Sequence, residues 1–136
     1  MPINQINSQL AFEKLINNKK SFLIDVRTSE EHHFVGIVDS TKFDNRMILL
    51  PWQTLPNMQL NPNFSQELLN KFSLDSELFF LCRTGGRSQQ SALLANQLGF
   101  NYCHNIINGF EGDLDNNGQR GNINGWKASN LSWRQS

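Results

Sequence analysis

The chain is predicted to be an α/β protein with an open, doubly wound, mainly parallel sheet and helices on both faces. Three observations predict it. Short apolar runs at 21–26, 47–50, 78–81 and 102–107 alternate with segments of helical spacing at 8–18, 63–72 and 88–98. The runs lack strict polar alternation, as strands covered on both faces do. No internal repeat or shift in composition divides the 136 residues, a length that suits one domain spanning 1–136.

Ser8 to Asn18 reads as an amphipathic helix through Leu10, Phe12, Leu15 and Ile16, with Ser8 as its cap and Asn-Asn-Lys-Lys at its end. Ser21 to Val26 is a buried strand interrupted by Asp25, a carboxylate that must be half exposed or paired, with Arg27 and Arg87 as available partners. Ser29 and the acidic pair Glu30-Glu31 start a short helix that ends near Gly36. Asp39 to Arg46 is a polar loop, and Met47 to Leu50 is a strand stopped by Pro51. Three prolines within 51–62, Pro51, Pro56 and Pro62, predict an irregular, packed connection over 52–62. The helix at 63–72 takes Asn63 or Ser65 as cap. Leu78 to Leu81 leads into Cys82, the helix from Ser88 to Leu98 closes at Gly99, and Tyr102 to Ile107 is the last strand. The Gly- and Asn-rich stretch after it is loop, and Trp126 and Trp133 are too large to leave unpacked.

Twelve basic and twelve acidic residues cancel, so bulk charge points neither to nucleic acid nor to an anionic membrane. No apolar run reaches the roughly 18–20 residues of a membrane span, and M-P-I-N-Q-I-N-S has neither the basic start nor the apolar centre of a secretory signal. Two cysteines make no disulfide framework, and a reducing cytoplasm with free thiols is the expected compartment.

The chemistry concentrates in C-R-T-G-G-R-S, residues 82–88. A thiol of pKa about 8.5 is acidified by a helix N-terminus and nearby cations. The backbone N–H groups from Arg83 through Ser88 can curl around the Cys82 sulfur as an anion nest. Gly85 and Gly86 permit the curl and keep side chains out of it. Arg87 offers a fixed fork to an oxyanion, Arg83 a second cation, and Thr84 and Ser88 hydroxyl donors, although Ser88 serves equally as a helix cap. Asp25, Arg27 and Glu31 form a supporting carboxylate–arginine network behind the loop, with structural pairing preferred to direct catalysis. Cys103 reads as an inert buried thiol rather than a resolving partner for Cys82, and Trp126 and Phe110 as core rather than pocket lining. His32 and His33 are adjacent and diverge by about 100° on a helix, and His104 has no ligand-spaced partner, so no metal site is expected.

This loop, following an apolar strand, resembles the active-site loop of the rhodanese-like sulfurtransferases. D-V-R-T-S-E-E at 25–31 resembles the first signature of that family, G-F-E-G-D-L-D at 109–115 its late glycine-rich turn, and G-W-K-A-S-N-L-S-W the tail of bacterial single-domain members. The resemblance implies a doubly wound parallel sheet and sulfur transfer in two steps through a Cys82 persulfide. The donor would be thiosulfate or another small persulfide anion, the acceptor cyanide, a thiol or a protein, and no metal or organic cofactor is required. By the same resemblance Cys82 and Arg87 are catalytic, and Arg83, Thr84, Gly85, Gly86 and Ser88 bind substrate. The chain departs from the family at F-V-G-I-V-D-S, where a Gly-His-Ile-Pro-Gly-Ala-like turn is usual, and no role is carried onto Gly36, Ile37 or Val38. A second expectation is a sulfur-carrier or non-catalytic module that docks a partner protein. A third, phosphatase or arsenate reductase, is disfavoured by spacing: those loops place five residues between Cys and Arg, and four separate Cys82 from Arg87.

Overall fold

The computed structural model describes residues 3–135. In chain order the elements are β1 (Asn4–Ile6), α1 (Ser8–Asn17), β2 (Ser21–Asp25), α2 (Ser29–Val35), β3 (Ile37–Val38), β4 (Met47–Leu49), β5 (Gln53–Thr54), β6 (Gln59–Leu60), α3 (Phe64–Lys71), β7 (Glu77–Leu81), α4 (Gly86–Gln97), β8 (Tyr102–Ile106) and β9 (Trp133–Arg134). A 3-10 turn at Thr41–Phe43 lies within the polar loop before β4.

Five strands make one sheet in the order β1-β8-β7-β2-β4, and every pairing in it is parallel. This is the expected doubly wound α/β architecture, with one added edge. Strand β1 was not foreseen, because three residues reading N-Q-I carry no strand pattern, and their pairing with β8 is purely a tertiary gain.

Alternation along β7 divides the core. Leu78, Phe80 and Cys82 face the layer of α3 and α4 with Phe64, Leu68, Ala92 and Ala95. Phe79 and Leu81 face the opposite layer, where α1 supplies Ala11 and Leu15 and the C-terminal region supplies Phe110 and Trp126. The expected core roles of Phe110 and Trp126 therefore hold, since both are fully buried.

Helix ends differ from expectation in instructive ways. Asn7 rather than Ser8 caps α1, its Oδ1 accepting from Leu10 N at 2.8 Å. The other end of α1 is met by Arg46, whose guanidinium donates to the carbonyls of Leu15 at 2.5 Å and Asn18 at 2.8 Å. Thr28 caps α2 in a reciprocal box with Glu31. Asn63 takes the cap position of α3 without a side-chain bond. The expected packed connection at 52–62 holds only for Trp52, buried against Phe64; Leu55, Met58 and Leu60 are exposed, because the segment folds out as the antiparallel β5–β6 hairpin.

The unusual 34–40 region is explained by the tail. Strand β9 pairs antiparallel with β3, so Ile37 lies opposite Arg134 and Val38 opposite Trp133. Gly36 has φ 110°, and a Cβ there would fall 2.8 Å from the Arg134 carbonyl and 3.0 Å from the Trp133 ring. A glycine is thus required by the covering strand.

Candidate active site

Cys82 follows directly on β7, the middle strand of the sheet, and α4 begins four residues later at Gly86, earlier than the expected Ser88. The strand's period points the Cys82 side chain toward α4. The thiol is 1% exposed and forms the floor of the loop. Its Sγ accepts the Gly85 N–H at 3.1 Å and lies 3.2 Å from Ser88 Oγ.

The two glycines differ in what they do. Gly85 stands at the N-cap of α4 with φ 113°, a left-handed conformation that L side chains rarely adopt. Gly86 is not among the left-handed residues and meets nothing within 4 Å of a notional Cβ. Only Gly85 is required by the curl; the expectation for Gly86 is corrected to an open position at the mouth.

The late turn G-F-E-G presses on the loop from outside. Phe110 N donates to the Cys82 carbonyl at 2.8 Å, and Glu111 N and Gly112 N donate to the Arg83 carbonyl at 3.0 and 3.2 Å. In a trans peptide the N–H lies opposite the C=O, so these bonds turn the Arg83 and Thr84 N–H groups away from the late turn. The approach is close enough that a Cβ on Gly109 would lie 2.4 Å from the Cys82 carbonyl oxygen.

The supporting network resolves into two separate pairs. Arg87, in the first turn of α4, donates through Nη1 and Nη2 to Glu31 at 2.6 and 2.8 Å. Burial alone would raise the Glu31 carboxyl, but the bonds from Arg87 and Thr28 hold it below its ordinary range. The Glu31 carboxylate in turn raises Arg87, opposed by burial. Arg87 is therefore not the partner of Asp25. Asp25 is fully buried at the end of β2 and is bound by Arg27, whose Nη2 lies 2.7 Å away. His32 Nε2 also comes within 3.1 Å of Asp25, though not aligned as a hydrogen bond. Burial pushes the Asp25 carboxyl up, and the His32 and Arg27 contacts outweigh it, lowering it to about 2.

Asp25 lies opposite Leu81 in the β2–β7 register, and Leu81 packs on the face away from Cys82. The Asp25–Arg27 pair consequently acts on the sulfur only at a distance. The Arg27 guanidinium lies 4.3 Å from the centre of the Phe110 ring, and Phe110 N binds the Cys82 carbonyl. A line of contacts therefore runs from Asp25 through Arg27 and Phe110 to the loop backbone.

Arg83 is exposed and Thr84 half-buried, both on the loop itself. Cys103 pairs in register with Leu78, four residues before Cys82. At a rise of about 3.3 Å per residue that is roughly 13 Å away, beyond the reach of a disulfide. Burial also pushes the Cys103 thiol up to about 12, consistent with the expected inert thiol. Among the described residues, no cluster of His, Cys, Asp or Glu has the geometry to hold a metal ion.

One contributor went unnoticed in the sequence. Asn105, buried on β8, accepts from Ser88 Oγ at 2.5 Å and so touches the loop from the neighbouring strand. A lone Asn in an apolar run is the available signal: a buried amide needs a polar partner.

A model of the rhodanese-like domain family matches residues 8–116. An uncharacterized protein of Rickettsia rickettsii is 39% identical over 134 residues, covering 98% of this chain and 99% of that protein. An uncharacterized protein of Rickettsia prowazekii is likewise 39% identical, over 136 residues. The crystal structure of Rv0390 from M. tuberculosis superposes with a TM-score of 0.91 at 35% identity, over the whole of both chains. The solution structure of the polysulfide-sulfur transferase homodimer from Wolinella succinogenes shares the fold, with a TM-score of 0.65 at 17% identity over 98% of this chain and 80% of that one. Among the described residues no helix is long and apolar enough to cross a membrane. A parallel sheet that delivers a cysteine to a glycine turn, and a family match that spans that turn, lead to one conclusion: the chain belongs to the rhodanese-like domain family.

Proposed function

We propose that this protein is a sulfurtransferase that carries sulfane sulfur on Cys82. The observation that carries the reading is the position of the Cys82 sulfur. It accepts a loop N–H at 3.1 Å and lies beside a hydroxyl, at the start of a 12-residue helix. The Gly85 N–H and the positive end of the helix are placed to hold negative charge on a Cys82 persulfide. The polysulfide-sulfur transferase with the same fold is in keeping with it.

In the first step the Cys82 thiolate attacks the outer sulfur of thiosulfate. A Cys82 S–S bond forms, the donor's S–S bond breaks, and sulfite leaves with the electron pair. In the second step an acceptor thiolate or cyanide attacks the outer sulfur of the Cys82 persulfide, forms a bond to it and regenerates the thiolate. A floor this closed suits the chemistry, because the added sulfur carries the reacting atom about 2 Å outward. Arg83, exposed on the loop, and the Arg87 N–H groups not held by Glu31 orient the anionic donor. Gly86 keeps the approach open.

Incubation with thiosulfate is expected to add about 32 Da, one sulfur atom on the nucleophile, and Cys82→Ala to abolish the addition. Uptake of sulfur by the variant would overturn the assignment. The engagement of Arg87 by Glu31 favours a second reading, a sulfur carrier for a partner protein, because a held arginine has less freedom to follow a donor through turnover. Stoichiometric loading without continuing sulfite release would select it.

A further inference from the structure

A chain of side chains leads from the surface to the back of the Cys82 sulfur. Ser88 Oγ lies 3.2 Å from Cys82 Sγ and donates to Asn105 Oδ1 at 2.5 Å. Asn105 Nδ2 donates to Gln5 Oε1 at 2.8 Å, and Gln5 Nε2 donates to Gln89 Oε1 at 2.5 Å. The edge strand makes this possible: β1 pairs with β8 so that Gln5 lies directly opposite Asn105. Ser88 and Asn105 are buried, while Gln5 is exposed.

Ser88 has a single hydroxyl proton and three acceptors within reach: Asn105 Oδ1, Gly85 O at 3.2 Å and Cys82 Sγ. With the proton given to the nearest of these, Asn105 Oδ1, the oxygen's lone pairs are free to accept from a Cys82 S–H. That polarity suits a thiol. A thiolate or persulfide needs the reverse, with the Ser88 proton aimed at sulfur. At 2.5 Å the Asn105 oxygen and the Ser88 oxygen cannot then face each other without a proton between them. Rotating the amides resolves the conflict: Asn105 Nδ2 turns to Ser88, Gln5 Nε2 turns to Asn105 Oδ1, and Gln89 Nε2 turns to Gln5. An amide is a donor on one edge and an acceptor on the other, so the chain works in both directions.

We propose that Asn105, Gln5 and Gln89 are positioning residues that set the direction of the Ser88 hydroxyl, and that their amides reverse as Cys82 passes from thiol to thiolate. The proposal deepens the reading of Cys82 as the sulfur-handling nucleophile and rests on it. The charged groups around the sulfur are Arg83 on the loop, Arg87 on α4 with Glu31 on α2, and the Asp25–Arg27 pair at the end of β2. All remain in place in the variants below.

Gln5→Glu replaces an exposed amide by a group that only accepts. Asn105 must then turn Nδ2 to it and Oδ1 to Ser88, which locks the hydroxyl proton away from sulfur. The readout is ultraviolet thiolate absorbance against pH, with the Cys82→Ala signal subtracted and sodium chloride at about 1 M so that the new surface charge is screened. The profile is expected to move up by about one pH unit, a tenfold smaller thiolate fraction below the midpoint. Ser88→Ala is expected to move it up by itself, and adding Gln5→Glu to Ser88→Ala is expected to move it no further. No shift with Gln5→Glu, or the same shift with and without the Ser88 hydroxyl, would overturn the relay. The titration involves no sulfur donor, so failure of thiosulfate loading in the unmodified protein would strike the transferase reading and leave the relay standing.

Discussion

Asp25 shows how a single buried charge is kept in a small α/β protein. Its side chain has no exposure, and its carboxyl is lowered from 3.8 to about 2 despite burial, through His32 and Arg27. A folded value below the unfolded one means a stabilising contribution, present above about pH 4 and lost as pH falls toward 2. The difference of about two units corresponds to roughly 2–3 kcal/mol. Asp25→Asn leaves Arg27 buried without its counter-charge, so urea unfolding at pH 7 is expected to show a loss of about 3–5 kcal/mol. The gap to the unmodified protein should narrow near pH 2, where Asp25 itself is protonating. Glu31 behaves differently, since the Glu31 and Arg87 side chains are each about one-fifth exposed, 21% and 20%. Glu31→Gln is expected to change stability by about 1 kcal/mol or less. Persulfide formation should slow about tenfold as Arg87 loosens, a split readable by pairing denaturation with stopped-flow sulfite release.

At the scale of elements, the cysteine loop is shaped as much by the turn at 109–112 as by its own glycines. That turn takes up the Cys82 and Arg83 carbonyls and approaches them with no room for a side chain. Gly109 also has φ 59°. Gly109→Ala is therefore expected to cost about 2–4 kcal/mol and to disorder the loop, seen as a lower melting temperature together with lost sulfur uptake. Gly86→Ala is the contrasting case. Open space and an ordinary helical position predict a gain of about 0.5–1 kcal/mol in thermal unfolding, so that any fall in sulfur uptake would report obstruction of the mouth alone.

For the molecule as a whole, the C-terminal region closes the fold instead of trailing from it. Trp126 is fully buried beside Phe12, and β9 lays Trp133 over Gly36. Lys127 sits 4.1 Å from the centre of the Trp133 ring, adding a cation to the apolar seam. Trp126→Ala is expected to destabilise the protein by about 3–5 kcal/mol in urea unfolding. The loss should weaken the whole layer beneath α1, because Trp126 packs in the same cluster as Ala11, Leu15 and Phe79.

The sequence by itself determined the elements whose signals are local. Apolar runs marked β2, β4, β7 and β8, helical spacing marked α1, α3 and α4, and a cysteine before Gly85 marked the site. Tertiary structure alone decided which charges meet. Arg87 reaches Glu31 rather than Asp25, and Arg46 answers the end of α1 from a distant loop. The strand β1, too short and polar to announce itself, becomes visible only when β8 offers it hydrogen bonds, and with it comes Gln5 opposite Asn105. Periodicity records what a segment buries. Pairing depends on which side chains share a sheet face across a long stretch of chain, and no window of sequence contains that.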